Sequence, residues 1–142
     1  MKTAGMIIEY NPLHCGHLHL LEETRRLLGP DTAVVCVMSG DFVQRGDFTL
    51  VRHQARAKAA VESGADLVLE LPLPWAVSSA EGFADGGVQV LLATGLVTHL
   101  AFGSEALKLS ANFLASDAVW FIFQFPAMMV LRYLRFMIGF LL

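Results

Sequence analysis

The chain has few cysteines, no excess of basic charge and no signal-like start, and each shortage removes a class of protein. Its two cysteines, Cys15 and Cys36, fall in an expected turn and an expected buried strand, so no disulfide is expected. The opening MKTAGMIIEY has neither the charged start nor the long apolar stretch of a signal peptide. A reducing, cytoplasmic setting fits both. A net charge of -3 and a pI near 5.9 leave no global field to hold nucleic acid by neutralising phosphates, so any RNA contact must be local. In the apolar tail the longest uncharged run, Ala118 to Leu131, stops short of the ~18 residues a membrane span needs and contains Gln124 and Pro126. No stable membrane span is expected.

Apolar residues, by contrast, are abundant. They make up 55 % of the chain, and the mean hydropathy of +0.55 is high for a soluble domain. A length of 142 residues suits one globular unit with a proper core, without room for a large second module.

Thr3 to Ile8 is a short apolar run of the kind a buried parallel strand shows. After the Asn11-Pro12 turn the spacing predicts a first helix from about Gly16 to Leu28, ended by Gly29-Pro30, and Thr32 to Met38 reads as a second strand. Ser39-Gly40-Asp41 opens a polar loop to about Leu50, and a second helix runs roughly from Arg52 to Ser63. Ala65 to Leu71 is a third strand, cut by Pro72 and Pro74; Ser78 or Ser79 caps a third helix to about Thr94. Leu96 to Phe102 completes the pattern, with Gly103-Ser104-Glu105 as a turn at its carboxyl end. Alternating strands and helices with short, right-handed joints predict an α/β fold: a Rossmann-like, doubly wound parallel sheet covered on both faces. The domain is expected to occupy residues 1–106. From about Leu107 the texture changes: Asp117 is the last acidic residue, and half of the aromatics fall in residues 118–142. Residues 107–142 read as an atypical hydrophobic tail, without alternation or a helical stripe.

The stretch that organises the chain is Glu9 to Leu18, centred on His14-x-Gly16-His17. A strand feeding a helix through a glycine leaves backbone N–H groups unpaired at the helix start, a natural seat for phosphate. Two imidazoles add donors able to carry charge near neutral pH, and Gly16 lets the backbone approach a ligand. Four residues are a short pattern, but their place at the first strand-to-helix junction favours a nucleotide site over a decorative turn. A zinc site from His14, Cys15, His17 and His19 is disfavoured, because all four lie close in sequence and residues 17 and 19 diverge on a helix. No metal ligand is therefore assigned.

Arg45, Arg52, Arg56 and Lys58 form a local basic group, with Arg52 and Arg56 spaced i, i+4 on one helix face. They are candidates for phosphate or RNA backbone, against a plain solvated face. Ser39, Asp41 and Gln44 lie in the loop after the second strand, where polar side chains face a ligand or serve the turn itself. Trp75 reads more as a core plug than as a base-stacking platform. Glu70 is unusual in an apolar strand: it points to the active edge or bonds a neighbouring helix end.

With these residues placed, the chain resembles the tRNA-Met cytidine acetate ligase family, a bacterial branch of the His-x-Gly-His nucleotidyltransferase-like superfamily. The likeness runs through Gly5 to His17, Met38 to Gly46, Gly64 to Pro72, Ser79 to Ala84 and Phe102 to Glu105, several motifs in order. Leu13 stands where the family usually carries Phe, and Cys15 where it usually carries Asn.

The resemblance implies ATP-dependent activation of acetate as acetyl-adenylate, then transfer of the acetyl group to the wobble cytidine of elongator tRNA-Met, forming N4-acetylcytidine. It also implies ATP contacts along Ile7, Ile8, Glu9, Tyr10, Asn11, Pro12, Leu13, His14, Cys15, Gly16, His17, Leu18, His19 and Leu20, and at Gly103. His14 and His17 would be the catalytic pair, and magnesium is the default companion of the triphosphate. Two other readings stay open: a nucleotidyltransferase acting on a small phosphorylated molecule, and a non-catalytic ATP-binding fragment. Family members are considerably longer, and the aromatic tail is read as the remnant of a truncation or frameshift.

Overall fold

The computed structural model describes residues 1–104 and 119–124. Its elements are β1 (Thr3–Ile8), α1 (Cys15–Leu28), β2 (Ala33–Ser39), α2 (His53–Glu62), β3 (Leu67–Leu71), α3 (Leu73–Ala76), α4 (Ala80–Ala93), β4 (His99–Ser104) and β5 (Val119–Gln124), with a 3₁₀ turn at Gln44–Gly46. The sheet order is β3-β2-β1-β4-β5. Its first four strands are parallel and β5 joins antiparallel to β4.

Residues alternating along each strand part to opposite faces. Met6, Ile8, Val34, Cys36 and Met38 pack with Leu20 and Leu21 of α1 and Ala60 of α2. On the reverse face Val35, Val37, Leu71 and Leu100 pack with Ala76 of α3 and Leu91 of α4. Strands buried on both faces must read as continuous apolar runs, as β1 and β2 do. The doubly wound parallel architecture is therefore as the alternation predicts.

α4 comes unusually close to the sheet. A Cβ added at Gly87 would stand 2.7 Å from Ile7 Cγ2, and one at Gly86 would stand 2.3 Å from Trp75 Cγ. Trp75 thus packs its ring root against α4, although the residue keeps 37 % of its surface exposed. Ser79 is the N-cap of this helix, accepting from the Gly82 N–H at 3.2 Å.

Several expectations need correction. The fourth strand begins at His99 rather than Leu96, because Thr98 first clasps Thr3. The Thr3 N–H donates to Thr98 Oγ1 at 2.9 Å, and the Thr98 N–H donates to the Thr3 carbonyl at 2.9 Å. The expected turn at 103–105 is strand at its first two residues, since Gly103 and Ser104 pair with Trp120 and Val119 of β5. β5 itself lies within the stretch read as lacking alternation. Its aromatic and β-branched Val119–Gln124 segment meets the requirement for a strand once a partner edge exists. The short α3 replaces an expected break, with Pro at the start of a helix where its missing N–H costs nothing. The reading of 107–142 as a tail otherwise lies outside the described residues.

Candidate functional site

In a parallel sheet of this order the chain crosses from β1 to β2 on one side, and later from β3 to β4 on the other. The switch point falls between β1 and β4, where open α/β sheets bind ligands at the carboxyl ends of their strands. The pairing of these two strands is brief. Ala4 pairs with His99 and Gly5 with Leu100, and the register ends there, although β1 runs on to Ile8 and β4 to Ser104. That unpaired end is where a ligand crevice is expected in such a sheet, and there the His14-x-Gly16-His17 turn follows β1 while Gly103 lies near the end of β4.

The two histidines cap α1 reciprocally. The Gly16 N–H donates to His14 Nδ1 at 3.1 Å, and the His14 N–H donates to His17 Nδ1 at 3.2 Å. A ring nitrogen that accepts carries no proton, so in each neutral imidazole the proton sits on Nε2. The rings lie 3.8 Å apart, centre to centre. Gly16 makes this possible: a Cβ there would stand 3.0 Å from His14 Cε1. Among the described residues neither Nε2 has a hydrogen-bond acceptor. The pair therefore presents two N–H donors beyond the helix start.

Two expectations about this turn change. The helix-start amides are not left open, because His14 takes the Gly16 N–H through its side chain and the His17 and Leu18 N–H through its carbonyl. Nor is His17 a cation near neutral pH: burial first, and the neighbouring His14 second, hold its pKa down at about 4. It acts as a neutral donor.

Beneath His17 lies Tyr10, its ring centre 4.6 Å away. Tyr10 is buried and has a φ of 49°, a left-handed conformation that costs a bulky residue ~1–3 kcal/mol and persists only where its surroundings enforce it. Burial pushes its phenol pKa upward and, beside it, the Cys36 thiol up to about 12. Cys36 is therefore inert core, whereas Cys15 is exposed.

Of the segment from Ile7 to Leu20, much supports the turn instead of facing outward. Ile8, Tyr10 and Leu20 are core, and Leu13 packs against it. Glu9 Oε1 accepts from the Gln44 N–H at 2.7 Å, and Asn11 Oδ1 accepts from the Leu50 N–H at 2.7 Å. Both side chains tie the loop after β2 to the turn after β1. Pro12, His14, Cys15, Leu18 and His19 lie at the surface.

The polar candidates after β2 divide. Ser39 and Arg56 are buried, at 0 % and 2 % exposure, so neither reaches a ligand at the surface. Asp41 accepts from the His53 N–H at 2.8 Å and lies 3.0 Å from His53 Nδ1. These contacts, that N–H first, hold its carboxyl below the usual range. Arg45 lies in the 3₁₀ turn. Arg52 is exposed but is the N-cap residue of α2, with ψ 145°. It therefore shares no helix face with Arg56, as the i, i+4 spacing had predicted, because the helix begins one residue later. Glu70 leans toward α2, with Oε2 3.9 Å from His53 Nε2. Glu9 and Asn11, expected as ATP contacts, serve the backbone instead, and Asp66, which the sequence reading did not single out, does the same: its Oδ2 accepts from the Val34 N–H at 2.7 Å, and a short acidic side chain at a strand start is a signal of such service.

A 3-2-1-4 parallel order with a histidine-capped helix at the switch point defines a doubly wound α/β domain of the His-x-Gly-His kind. Residues 1–120 match the family described as HIGH Nucleotidyl Transferase, and the chain belongs to it. Among its relatives, the tRNA(Met) cytidine acetate ligase of Acetivibrio thermocellus is 54 % identical over 105 residues, covering 74 % of this chain and 25 % of the relative. That of Fervidobacterium nodosum is 48 % identical over 122 residues, covering 82 % and 28 %. The crystal structure of Thermotoga maritima TmcAL bound with alpha-thio ATP superposes with a TM-score of 0.66 at 50 % identity, over 69 % of this chain and 23 % of that one. The apo form superposes with a TM-score of 0.71 at 49 % identity, over 77 % and 26 %. The chain thus spans about a quarter of the length of the relatives it matches.

Proposed function

We propose that this chain binds ATP in the crevice between β1 and β4 and carries the adenylating part of a tRNA-Met cytidine acetate ligase. The observation that carries the reading is the reciprocal cap of His14 and His17, which leaves two Nε2–H donors at the switch point. The names of relatives near half identity, and a solved relative bound with alpha-thio ATP, support it.

In this reaction an acetate oxygen attacks the α-phosphorus of ATP in line with departing pyrophosphate. Catalysis is then mostly positioning and stabilisation of charge on the phosphate oxygens. His14 and His17 donate from Nε2, and Gly103 lets the ligand approach β4 without a Cβ in the way. Acetyl-adenylate passes its acetyl group to the N4 amine of the wobble cytidine of elongator tRNA-Met, releasing AMP. Among the described residues no three His, Cys, Asp or Glu side chains converge as a cation cage; in this reading magnesium travels on the triphosphate, its usual partner. The setting is the cytoplasm. Of the phosphate or RNA candidates, Arg52 is an exposed one. Binding of ATP without the full reaction is a second reading, favoured by the quarter-length match.

The test is acetate-dependent exchange of labelled pyrophosphate into ATP by the 142-residue chain. Exchange that requires acetate, and that falls ~10²–10³-fold in His17→Asn, is expected. Asn retains an acceptor near the Nδ1 position and loses the outer donor. ATP binding without exchange would select the second reading; no ATP binding would end both.

A further inference from the structure

Arg56 sits on α2, yet its guanidinium serves the ends of two strands. Nε donates to the Val51 carbonyl at 3.0 Å, Nη1 to the Glu9 carbonyl, and Nη2 to the carbonyls of Ser39, at 3.0 Å, and Gly40. Four acceptors from three segments surround one planar group that is 2 % exposed. Among the described residues no carboxylate is hydrogen-bonded to it, so the charge is balanced by carbonyl dipoles and by Asp41, Glu9 and Glu70 at longer range. Such a fork suits a guanidinium and not an ammonium, which cannot present coplanar donors to several acceptors at once.

The Glu9 carbonyl belongs to the peptide that leads into Tyr10, the one non-glycine residue with positive φ among those described. Tyr10 in turn carries the His17 ring, and His17 Nδ1 receives the His14 N–H. Each contact fixes the next. We propose that Arg56 is the positioning residue of the nucleotide site: by holding the Glu9 carbonyl it sets the left-handed Tyr10 turn, and through Tyr10 it aims the His17 Nε2–H at the phosphate. This rests on the proposed ATP site, and it departs from a direct phosphate contact, since every guanidinium nitrogen is turned inward and engaged.

The decisive variant is Arg56→Lys, which keeps the charge and loses the fork. Two readouts apply to the whole chain: ATP affinity, and the tautomer and titration of His17 followed by imidazole ¹⁵N resonances without nucleotide. With the far-UV spectrum and cooperative melting retained, Arg56→Lys is expected to weaken ATP binding about tenfold or more, the worth of one charge-assisted hydrogen bond. It also mixes the His17 tautomers and moves its titration from about 4 toward 6.5. A phosphate contact acting by charge alone would leave the His17 titration unmoved, and general destabilisation would lower the melt without changing the tautomer. A folded Arg56→Lys with His17 and ATP affinity both unchanged overturns the proposal. Should Arg56→Lys fail to fold, Tyr10→Leu cuts the same route one step later, and an unaltered His17 there overturns it equally. If the unmodified chain does not bind ATP, the functional reading fails while the His17 readout still decides the role of Arg56.

Discussion

The two edges of β1 are treated differently. Toward β2 it is paired throughout, from Thr3 with Ala33 to Ile8 with Met38, whereas toward β4 it is paired only at Ala4 and Gly5. The first edge is a scaffold, and the second is where the proposed ATP site lies. What separates them is what arrives at each carboxyl end. Beside β2, Arg56 gathers the carbonyls of Glu9, Ser39 and Gly40. On the β4 side, Gly103 is exposed near the end of β4, and the histidine pair follows the end of β1. Closure on one side by a buried cation is consistent with the proposed ligand site lying on the other.

The strongest way to break this contrast is to reverse the sign of the open edge. Asp is a good N-cap and can still accept from the Gly16 N–H, but it brings a negative charge and no outer donor. His14→Asp should therefore keep α1 and its circular dichroism while losing ~10²-fold or more in ATP affinity by calorimetry. Unchanged affinity would remove His14 from the site.

Next in size is pressure on the packed face behind β1. Gly86→Ala drives a methyl into the root of Trp75, and Gly87→Ala drives one into Ile7. Each should lower stability in urea by about 1–3 kcal/mol, more than the ~1 kcal/mol that Ala brings to a helix. Gly86→Ala should be the costlier, because the clash meets the ring root and not a flexible end.

A smaller effect sharpens the scaffold side. Asp66 Oδ2 accepts from the Val34 N–H at 2.7 Å and meets Arg25 Nη2 at 3.1 Å, so Asp66→Ala should cost about 1 kcal/mol in the same assay. The pH response is gentler. His17 has a folded pKa of about 4 against 6.5 in the unfolded chain, so between these values the unfolded state binds the extra proton. Its stability contribution is full above pH 6.5 and is lost as pH falls through about 4; melting followed across that window checks the slope. Smallest of all, breaking the Glu23–Arg26 pair at 2.8 Å by Glu23→Gln should leave the urea midpoint essentially where it was, since solvent screens the pair.

Much of this is legible in the sequence alone. β1 falls where its apolar run predicts, α1 and β2 within a residue, and Ser79 caps α4 as one of two candidates. Periodicity and punctuation carry such features because they are local. What was not legible depends on contacts across the sheet. Arg56 looked like a phosphate or RNA contact on a basic helix face, yet its fork closes on carbonyls 5 to 47 residues away. The neutral state of His17 follows first from its burial and then from His14 beside it, which no spacing rule reports. β5 acquires its strand from the free edge of β4, and a single apolar segment does not announce its partner. The switch point itself required the strand order, which alternation alone leaves open.

The central claim is that ATP enters the β1–β4 crevice, and the most direct test is to follow backbone amide resonances of the chain during an ATP titration. Shifts concentrated from Ile7 to Leu20 and at Gly103, with Leu67 to Leu71 of β3 unmoved, are predicted. Shifts gathered instead at the ends of β2 and β3, around Asp41, His53 and Glu70, with Gly103 silent, would contradict it.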